Sequence, residues 1–275
     1  MANLHANGID IEYEAFGDAS AEPLLLIMGF GRQLIAWPDA FCTALADRGF
    51  RVIRYDNRDV GLTTTSGAPY TLDDMADDAA GLLTALEITA AHVVGASMGG
   101  AIAQLLAIRR PEMALSLTSI MSAPDRPDQV GTDPQVLRRL AEPPAADRDG
   151  AIDRAVRMAR VVGTQATFDE ARVRDLAARE WDRDFSHDGP ARHGQAMAAA
   201  GDRTQALGRL SIPALVIHGE ADPLVPVAAG RRTAEAIPGA SLLVVPGMGH
   251  DLPQPFWHQV IDAIAEVAGR ARTAV

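Results

Sequence analysis

The sequence predicts an α/β protein with a mostly parallel, eight-stranded sheet and helices on both of its faces. Short apolar runs alternate with longer segments of helical periodicity along most of the 275 residues. The composition is 48% hydrophobic and 22% charged, which provides enough apolar surface for one large core. A helix between two strands supplies the crossover that parallel neighbours need, so the alternation favours a parallel sheet.

Each predicted strand is a short apolar run bounded by glycine, proline or polar residues. Residues 8–16 alternate apolar and polar side chains, which predicts one or two strands at the start of the chain. Residues 23–28 are continuously apolar, as is typical of a strand that is buried on both faces. Further strands are predicted over residues 51–55, 92–96, 115–121, 214–218 and 241–245.

Helices are predicted over residues 37–48, 98–108, 227–237 and 255–268, and another helix begins near Thr71. In that helix the apolar residues recur at helical spacing, and Asp74 stands three positions after Thr71. A threonine followed at this distance by an acidic residue indicates a capping box, which satisfies backbone N–H groups of the first turn.

The alternation of strand and helix stops between residues 122 and 207. Residues 151–162 and 168–181 each carry an apolar stripe, which predicts two amphipathic helices. Open α/β sheets bind ligands at the carboxyl ends of their strands. We therefore expect residues 122–207 to form a helical cap over that edge, and residues 1–121 and 208–275 to form the core domain. The alternative is a packed helical appendage that contacts no site.

The charge and the residue types exclude several classes of function. The formal net charge of −11 argues against nucleic acid as a partner, because phosphate backbones would repel the chain. The chain contains no lysine, which excludes Schiff-base chemistry, a Ser–Lys dyad and a phosphate-binding P-loop lysine. Cys42 is the single cysteine and lies among apolar neighbours, so we expect a buried side chain rather than a nucleophile.

The N-terminal residues contain neither a basic region nor an apolar run, so no secretory signal is expected. No apolar stretch is long enough to span a membrane, and a cytoplasmic location is therefore the expectation. The sequence leaves open whether the protein is a monomer or a homo-oligomer.

A candidate nucleophile lies in residues 95–99, which read G-A-S-M-G and fit the pattern G-x-S-x-G. The motif stands between a predicted strand and a predicted helix, where a tight turn would lift the Ser97 hydroxyl to the edge of the sheet. The same turn would place the backbone N–H of Met98 at a helix N-terminus, where it can stabilise an oxyanion. The alternative is a glycine-rich turn with a solvated serine.

A serine hydroxyl needs a base, and His250 is the preferred candidate because it follows the last predicted strand in a glycine-rich loop. Asp222 follows the preceding strand, so the chain order is Ser97, Asp222, His250, as expected for a strand–turn–helix nucleophile. His250 would act as general base and then acid, and Asp222 would fix its tautomer. Asp251 and Glu220 are alternative acids, although the Asp251 side chain is expected to leave the backbone beside His250.

The second oxyanion donor is expected from residues 29–31, G-F-G, after the strand at 23–28. The backbone N–H of Phe30 is our choice. Among the remaining histidines, His92 and His218 are predicted to be buried and hydrogen-bonded. Four others are expected at the surface: His5, His187, His193 and His258. No histidine or acidic cluster has metal-ligand spacing, so neither a metal nor a cofactor is expected.

Several segments resemble the α/β-hydrolase superfamily along nearly the whole chain. The segment at residues 26–31, L-I-M-G-F-G, is similar to the oxyanion segment of that family, except that Met28 stands where many members have histidine. Residues 52–61 resemble the loop that follows the next strand in that family and, with Trp37 and Pro38, are similar to aclacinomycin methylesterases. Taken together with residues 95–100 and 247–253, these segments resemble the mycobacterial lipase/esterase G group. The resemblance implies a carboxylesterase with a Ser97, Asp222 and His250 triad and with Phe30 and Met98 as oxyanion donors. Asp56 and Arg58 are expected to stabilise their loop.

The leading hypothesis is a serine carboxylic ester hydrolase that acts on small to medium acyl esters through an acyl-serine. A serine nucleophile favours acyl transfer over displacement at an epoxide or halide, which requires a carboxylate. Alternatives are a thioesterase, a C–C bond hydrolase, a perhydrolase or a ligand receptor that does not turn over. Six apolar residues are candidates for the substrate pocket, and each could equally belong to the core: Trp37, Met121, Met158, Trp181, Met197 and Met248.

Overall fold

A computed structural model describes residues 2–125, 130–183 and 189–273. Within them, one sheet has the strand order β1-β2-β4-β3-β5-β6-β7-β8. The strands are β1 (Ala2–Ala6), β2 (Ile9–Phe16), β3 (Glu22–Ile27), β4 (Phe50–Tyr55), β5 (Ala91–Ala96), β6 (Ala114–Ile120), β7 (Ala214–Gly219) and β8 (Ser241–Val245). The β1–β2 and β2–β4 pairs are antiparallel and the five other pairs of this sheet are parallel, so the predicted mostly parallel sheet is confirmed.

The start of the chain forms two strands, one of the alternatives that the sequence left open. Ala6 of β1 pairs with Ile9 of β2 across a two-residue turn. The turn residues Asn7 and Gly8 have φ angles of 49° and 79°. Two positive φ angles at an Asn-Gly pair are typical of a type I′ hairpin, whose twist matches that of the strands.

The described helices cover both faces of the sheet. They are α1 (Asp39–Ala46), α2 (Leu72–Ala85), α3 (Met98–Arg109), α4 (Pro134–Leu140), α5 (Arg148–Val162), α6 (Glu170–Arg183), α7 (Gly189–Ala198), α8 (Thr204–Leu207), α9 (Val227–Ala236) and α10 (Trp257–Thr273). Strand β3 contributes Leu25 and Ile27 to the core with α2 and α3, and Leu24 and Leu26 to the core with α1 and α10. It is therefore buried on both faces, as its apolar run predicts.

Two helix starts show how local chemistry sets the boundaries. The capping box of α2 is present, because the Asp74 N–H donates to Thr71 Oγ1 and the Thr71 N–H donates to Asp74 Oδ2. Helix α1, predicted to begin at residue 37, begins at Asp39 instead. Trp37 is extended, with φ −82° and ψ 105°, because a residue that precedes proline is pushed out of the helical region.

Residues 122–207, here called the insertion, connect β6 to β7 and contain helices α4 to α8 in their described part. Helices α5 and α6 correspond to the two amphipathic helices predicted from the sequence, and they pack against each other. Over the described ranges, no helix has the length and apolar character needed to cross a bilayer.

Candidate active site

Ser97 lies on a sharp turn between the end of β5 and the start of α3. Its backbone has φ 57° and ψ −122°, a conformation that costs a non-glycine residue on the order of 1–3 kcal/mol. Backbone hydrogen bonds hold it there: the Ser97 N–H donates to the Ile120 carbonyl at 2.9 Å, and the Ser97 carbonyl accepts from the N–H groups of Gly100 at 2.9 Å and Ala101 at 3.3 Å. Gly95 is required beside it, because a side chain there would collide with the Gly99 carbonyl.

Ser97, His250 and Asp222 form a continuous hydrogen-bonded chain. His250 Nε2 lies 2.9 Å from Ser97 Oγ, and His250 Nδ1 lies 2.6 Å from Asp222 Oδ2. A carboxylate only accepts, so Nδ1 carries the proton and Nε2 is left to accept from the serine hydroxyl. The Asp222 side chain is fully buried and that of His250 is 9% exposed, so water screens this pair weakly.

The Asp222 carboxylate is fixed by its own loop. Its Oδ1 accepts from the backbone N–H groups of Leu224 at 2.9 Å and Val225 at 2.8 Å, which leaves Oδ2 for His250. The buried His218 supports this loop, since its Nε2 donates to the Val225 carbonyl at 2.7 Å. Burial lowers the pKa of His218, which favours the neutral ring. His92 is also buried, and its Nδ1 lies 2.8 Å from Ser116 Oγ; both histidines have the environment predicted for them.

Within the described residues, neither alternative acid forms a hydrogen bond with the His250 imidazole. Asp251 Oδ1 accepts from the backbone N–H of Thr164 at 2.9 Å and from its hydroxyl at 2.6 Å. Glu220 is exposed. The geometry therefore favours Asp222 over both as the partner of His250.

The loop that holds His250, residues 247–251, rests on the insertion. The His250 N–H donates to the Val162 carbonyl at the end of α5, at 2.6 Å, and the Gly249 N–H donates to Thr164 Oγ1 at 2.9 Å. Thr164 therefore bonds to the residues on either side of His250. Sequence reasoning missed Thr164, because its partners lie more than 80 residues further along the chain.

The two backbone N–H groups predicted to form the oxyanion hole belong to Met98 and Phe30. Met98 is the first residue of α3, and Phe30 lies in a turn closed by a hydrogen bond from the Arg32 N–H to the Gly29 carbonyl at 3.3 Å. A Cβ atom at Gly29 would lie 3.1 Å from Ser97 Cβ, so this turn directly adjoins the serine. In the part of the chain that the structure describes, no protein acceptor bonds to either N–H. The Phe30 ring is 37% exposed.

The loop after β4 supports the turn at residues 29–32. Asn57 Nδ2 donates to the Met28 carbonyl at 2.8 Å, and the buried Asp56 accepts from the Leu34 N–H at 2.7 Å. Asp56 also accepts from the Leu62 N–H at 3.0 Å, which agrees with the loop-stabilising role expected for it. Arg58 is held by both carboxylate oxygens of Asp78.

The expectation that His193 lies at the surface is wrong. His193 is fully buried in the insertion helix α7, where its Nδ1 accepts from the Gly31 N–H at 3.1 Å and its Nε2 donates to the Arg58 carbonyl at 2.8 Å. These partners are distant in sequence, and the arginine and glycine beside His193 gave no sign of them. His5 and His258 are exposed, as predicted, and His187 lies outside the described residues.

The six candidate pocket residues fall into two groups. Trp37, Met121 and Met248 are buried in the core cluster beside α1 and α10, which corresponds to the core alternative considered for them. Met158, Trp181 and Met197 are half-buried on helices of the insertion. Contact of either group with a substrate stays a prediction.

Neither Cys42 nor a metal site is part of the catalytic hypothesis drawn from the sequence. Burial raises the pKa of Cys42 to about 12, which keeps it a thiol and agrees with the buried role predicted for it. Within the described ranges, no three histidine, cysteine or acidic side chains are grouped so that they could hold a metal ion.

The chain matches a known fold family and is similar to two methylesterases. The model of the alpha/beta hydrolase fold family matches residues 22–253. Rhodomycin D methylesterase DauP from Streptomyces sp. (strain C5) is 34% identical, over 87% of this chain and 88% of that protein. Rhodomycin D methylesterase DnrP from Streptomyces peucetius is 33% identical over the same shares.

The solved structures include an enol-lactonase from Burkholderia xenovorans LB400. It superposes with a TM-score of 0.78 at 25% identity and covers 99% of this chain and 100% of that chain. The resemblance noted from the sequence is thereby confirmed, and so is the predicted fold. The chain belongs to the α/β-hydrolase fold family.

Proposed function

We propose that this protein is a serine carboxylic ester hydrolase that acts on small to medium acyl esters through an acyl-serine at Ser97. The hydrogen-bonded chain from Ser97 Oγ through His250 to Asp222 is the observation that supports this most strongly. The similarity to two methylesterases supports the same chemistry and makes methyl esters the first substrates to test. The partner is a small-molecule ester, and a cytoplasmic location stays a prediction.

In the acylation step, Ser97 Oγ attacks the ester carbonyl carbon while His250 Nε2 takes the hydroxyl proton. The carbonyl π electrons move to oxygen, and the backbone N–H groups of Phe30 and Met98 donate to the resulting oxyanion. Such donors act strongly because they are already oriented when the charge develops. Asp222 stabilises the imidazolium that forms.

The tetrahedral intermediate then collapses, and the alcohol leaves with the proton from His250. Water enters, loses a proton to the same Nε2 atom and attacks the acyl carbon. The bond between the acyl carbon and Ser97 Oγ then breaks, the carboxylic acid leaves, and Nε2 returns its proton to Oγ. Both half-reactions use the same proton acceptor and the same oxyanion donors. The chain therefore needs no lysine and no second base for this cycle.

We further propose that the insertion forms a cap that sets acyl preference, as its two amphipathic helices suggest. Replacing Met158, Trp181 or Met197 with alanine should change the ratio of kcat/KM for short and long p-nitrophenyl esters. For a well-packed contact, the change in this ratio should correspond to about 1–3 kcal/mol of transition-state free energy. Leu137→Ala is the matched control, because Leu137 lies on insertion helix α4 with 52% of its surface exposed. Unchanged acyl-length profiles in all three variants would contradict this proposal and would leave these side chains with a role in packing alone.

A substrate panel and an active-site probe test the proposed function. The panel combines methyl and p-nitrophenyl esters of graded acyl length with acyl-CoA and diketone substrates. We expect steady turnover of the oxygen esters, and labelling by a fluorophosphonate at Ser97 alone. A preference for acyl-CoA or diketones would indicate a thioesterase or a C–C bond hydrolase. A burst of product without turnover would indicate the receptor alternative.

A further inference from the structure

We propose that His193 is a positioning residue for ester hydrolysis, which holds the Phe30 N–H in the direction needed to stabilise the oxyanion. The inference deepens the proposed function and rests on it, because it assigns a task in that reaction. The residue comes from the insertion, whereas the peptide it holds belongs to the sheet domain. The insertion would thereby complete the catalytic site.

The hydrogen bonds of His193 define its protonation state. The Gly31 N–H can only donate, so the Nδ1 atom that lies 3.1 Å from it must be unprotonated. The Arg58 carbonyl can only accept, so Nε2 carries the ring proton. His193 is thus a neutral ring that accepts from one loop and donates to another.

The groups around His193 favour this neutral form. Burial lowers its pKa, opposed by the Arg58 carbonyl and the Asp59 carboxylate and assisted by the charges of Arg192 and Arg58. The rings of Phe30 and Tyr70 face it edge-on, with centroids at 6.1 and 6.3 Å. Arg192, the preceding residue, forms an ion pair at 2.7 Å with the buried Asp59. This ion pair anchors α7 beside the loop that contains the Arg58 carbonyl.

The peptide that carries the Phe30 N–H lies between two peptides that side chains anchor, and its own Gly29 carbonyl accepts from the Arg32 N–H at 3.3 Å within the turn. On its N-terminal side, the Met28 carbonyl accepts from Asn57 Nδ2; on its C-terminal side, the Gly31 N–H donates to His193. The residues at positions 29 and 31 are glycines, and Gly31 has a φ of 64°, so the backbone offers little intrinsic resistance to rotation.

In a trans peptide the N–H and the carbonyl point in opposite directions. Fixing the Gly31 N–H on His193 therefore also fixes the Phe30 carbonyl away from that ring. Loss of the acceptor would free the Phe30–Gly31 peptide to rotate. The neighbouring Phe30 N–H would then be held on this side only by the 3.3 Å hydrogen bond from the Arg32 N–H to the Gly29 carbonyl, so its direction would be less well fixed. The oxyanion would lose hydrogen-bond stabilisation in the transition state, whereas substrate binding would not, so kcat would fall and KM would stay nearly constant.

Two substitutions separate the two hydrogen bonds of the ring. In His193→Asn the side-chain oxygen can replace Nδ1 as acceptor for the Gly31 N–H. In His193→Gln the longer amide can replace Nε2 as donor to the Arg58 carbonyl, but it leaves Gly31 without its acceptor. His258→Gln is the control for the same chemical change at an 85% exposed side chain.

The experiment measures kcat and KM on p-nitrophenyl acetate and the inhibition constant of an alkylboronic acid, which forms a tetrahedral adduct on the serine. For His193→Gln we expect kcat to fall by about tenfold to a hundredfold, less than full removal of an oxyanion donor, with KM within about twofold. The inhibition constant of the boronic acid should rise by a similar factor. His193→Asn should stay within about threefold of wild type, and His258→Gln should be unchanged.

Equal kcat losses in both His193 variants would mean a merely structural role and would overturn the inference, as would a wild-type kcat in His193→Gln. Ser97→Ala in the same assay separates failure of this inference from failure of the proposed function. An active Ser97→Ala enzyme would contradict the proposed function itself. Should both His193 variants fail to fold, ¹⁵N NMR of the wild-type imidazoles decides. An Nε2–H tautomer coupled across Nδ1 to the Gly31 amide supports the inference, and a protonated Nδ1 overturns it.

Discussion

Replacing Ser97 with alanine is expected to lower kcat/KM for carboxylic esters by about a thousandfold or more. The substitution removes the oxygen that we propose forms the acyl intermediate, and the remaining hydrogen-bond donors could then stabilise only a direct attack by water. The fold should be retained, because alanine is small enough for a turn in which Gly95 approaches the Gly99 carbonyl. The measurement is ester hydrolysis by purified protein, with the thermal unfolding midpoint recorded for both proteins.

Ser116→Ala provides a matched control for the loss of a buried hydroxyl. Ser116 lies within β6, where its Oγ atom bonds to His92, and it takes no part in the proposed reaction. We expect Ser116→Ala to keep the activity of the wild type even if its midpoint falls. Near wild-type activity in Ser97→Ala would show that another residue is the nucleophile.

Asp222→Asn is expected to lower kcat by up to about ten thousandfold near neutral pH. An amide in place of the carboxylate can donate to His250 Nδ1 and so favour the tautomer that carries its proton on Nε2. That tautomer cannot accept the proton of Ser97. The backbone N–H groups of Leu224 and Val225 favour this outcome, because both donate to the same side-chain atom of residue 222 and therefore need an oxygen there. The amide NH₂ would consequently face the ring.

Asp251→Asn is the comparison for this prediction. It changes the same functional group one residue away from His250, but the Asp251 carboxylate faces Thr164. An asparagine oxygen can still accept both hydrogen bonds from Thr164, so the activity should change little. The two variants are measured in one assay on one ester. If Asp251→Asn proves the crippling change and Asp222→Asn the mild one, the proposed acid is incorrect, whereas Ser97 and His250 keep their roles.

Local sequence was sufficient to find the three triad candidates. Each follows a strand in the parallel part of the sheet, and the carboxyl ends of parallel strands meet at one edge of the sheet. The position of Ser97 after β5, of Asp222 after β7 and of His250 after β8 therefore brings them together before any contact is known. Similarly, the capping box at Thr71 was visible in the sequence because all of its atoms lie within four residues.

The residues that hold the site in place could not be found in this way. His193 was predicted at the surface because its neighbours in sequence are polar, whereas its partners lie 162 and 135 residues away. The role of Thr164 could not be predicted for the same reason, since Thr164 bonds to residues that lie 85 and 87 positions further along the chain. Hydrophobic periodicity reports which face of a helix is apolar, but it does not report which loop that helix meets.

The hydrogen bond from the His250 N–H to the Val162 carbonyl, together with those of Thr164, has a consequence for protein engineering. Exchanging segments between related enzymes is attractive when one segment contributes specificity and another contributes chemistry. Here such an exchange at residues 122 and 207 would also replace the segment whose carbonyl accepts from the N–H of His250, the proposed general base. A productive chimera must therefore keep the end of α5 and Thr164 from this parent and take its new specificity from the remaining helices.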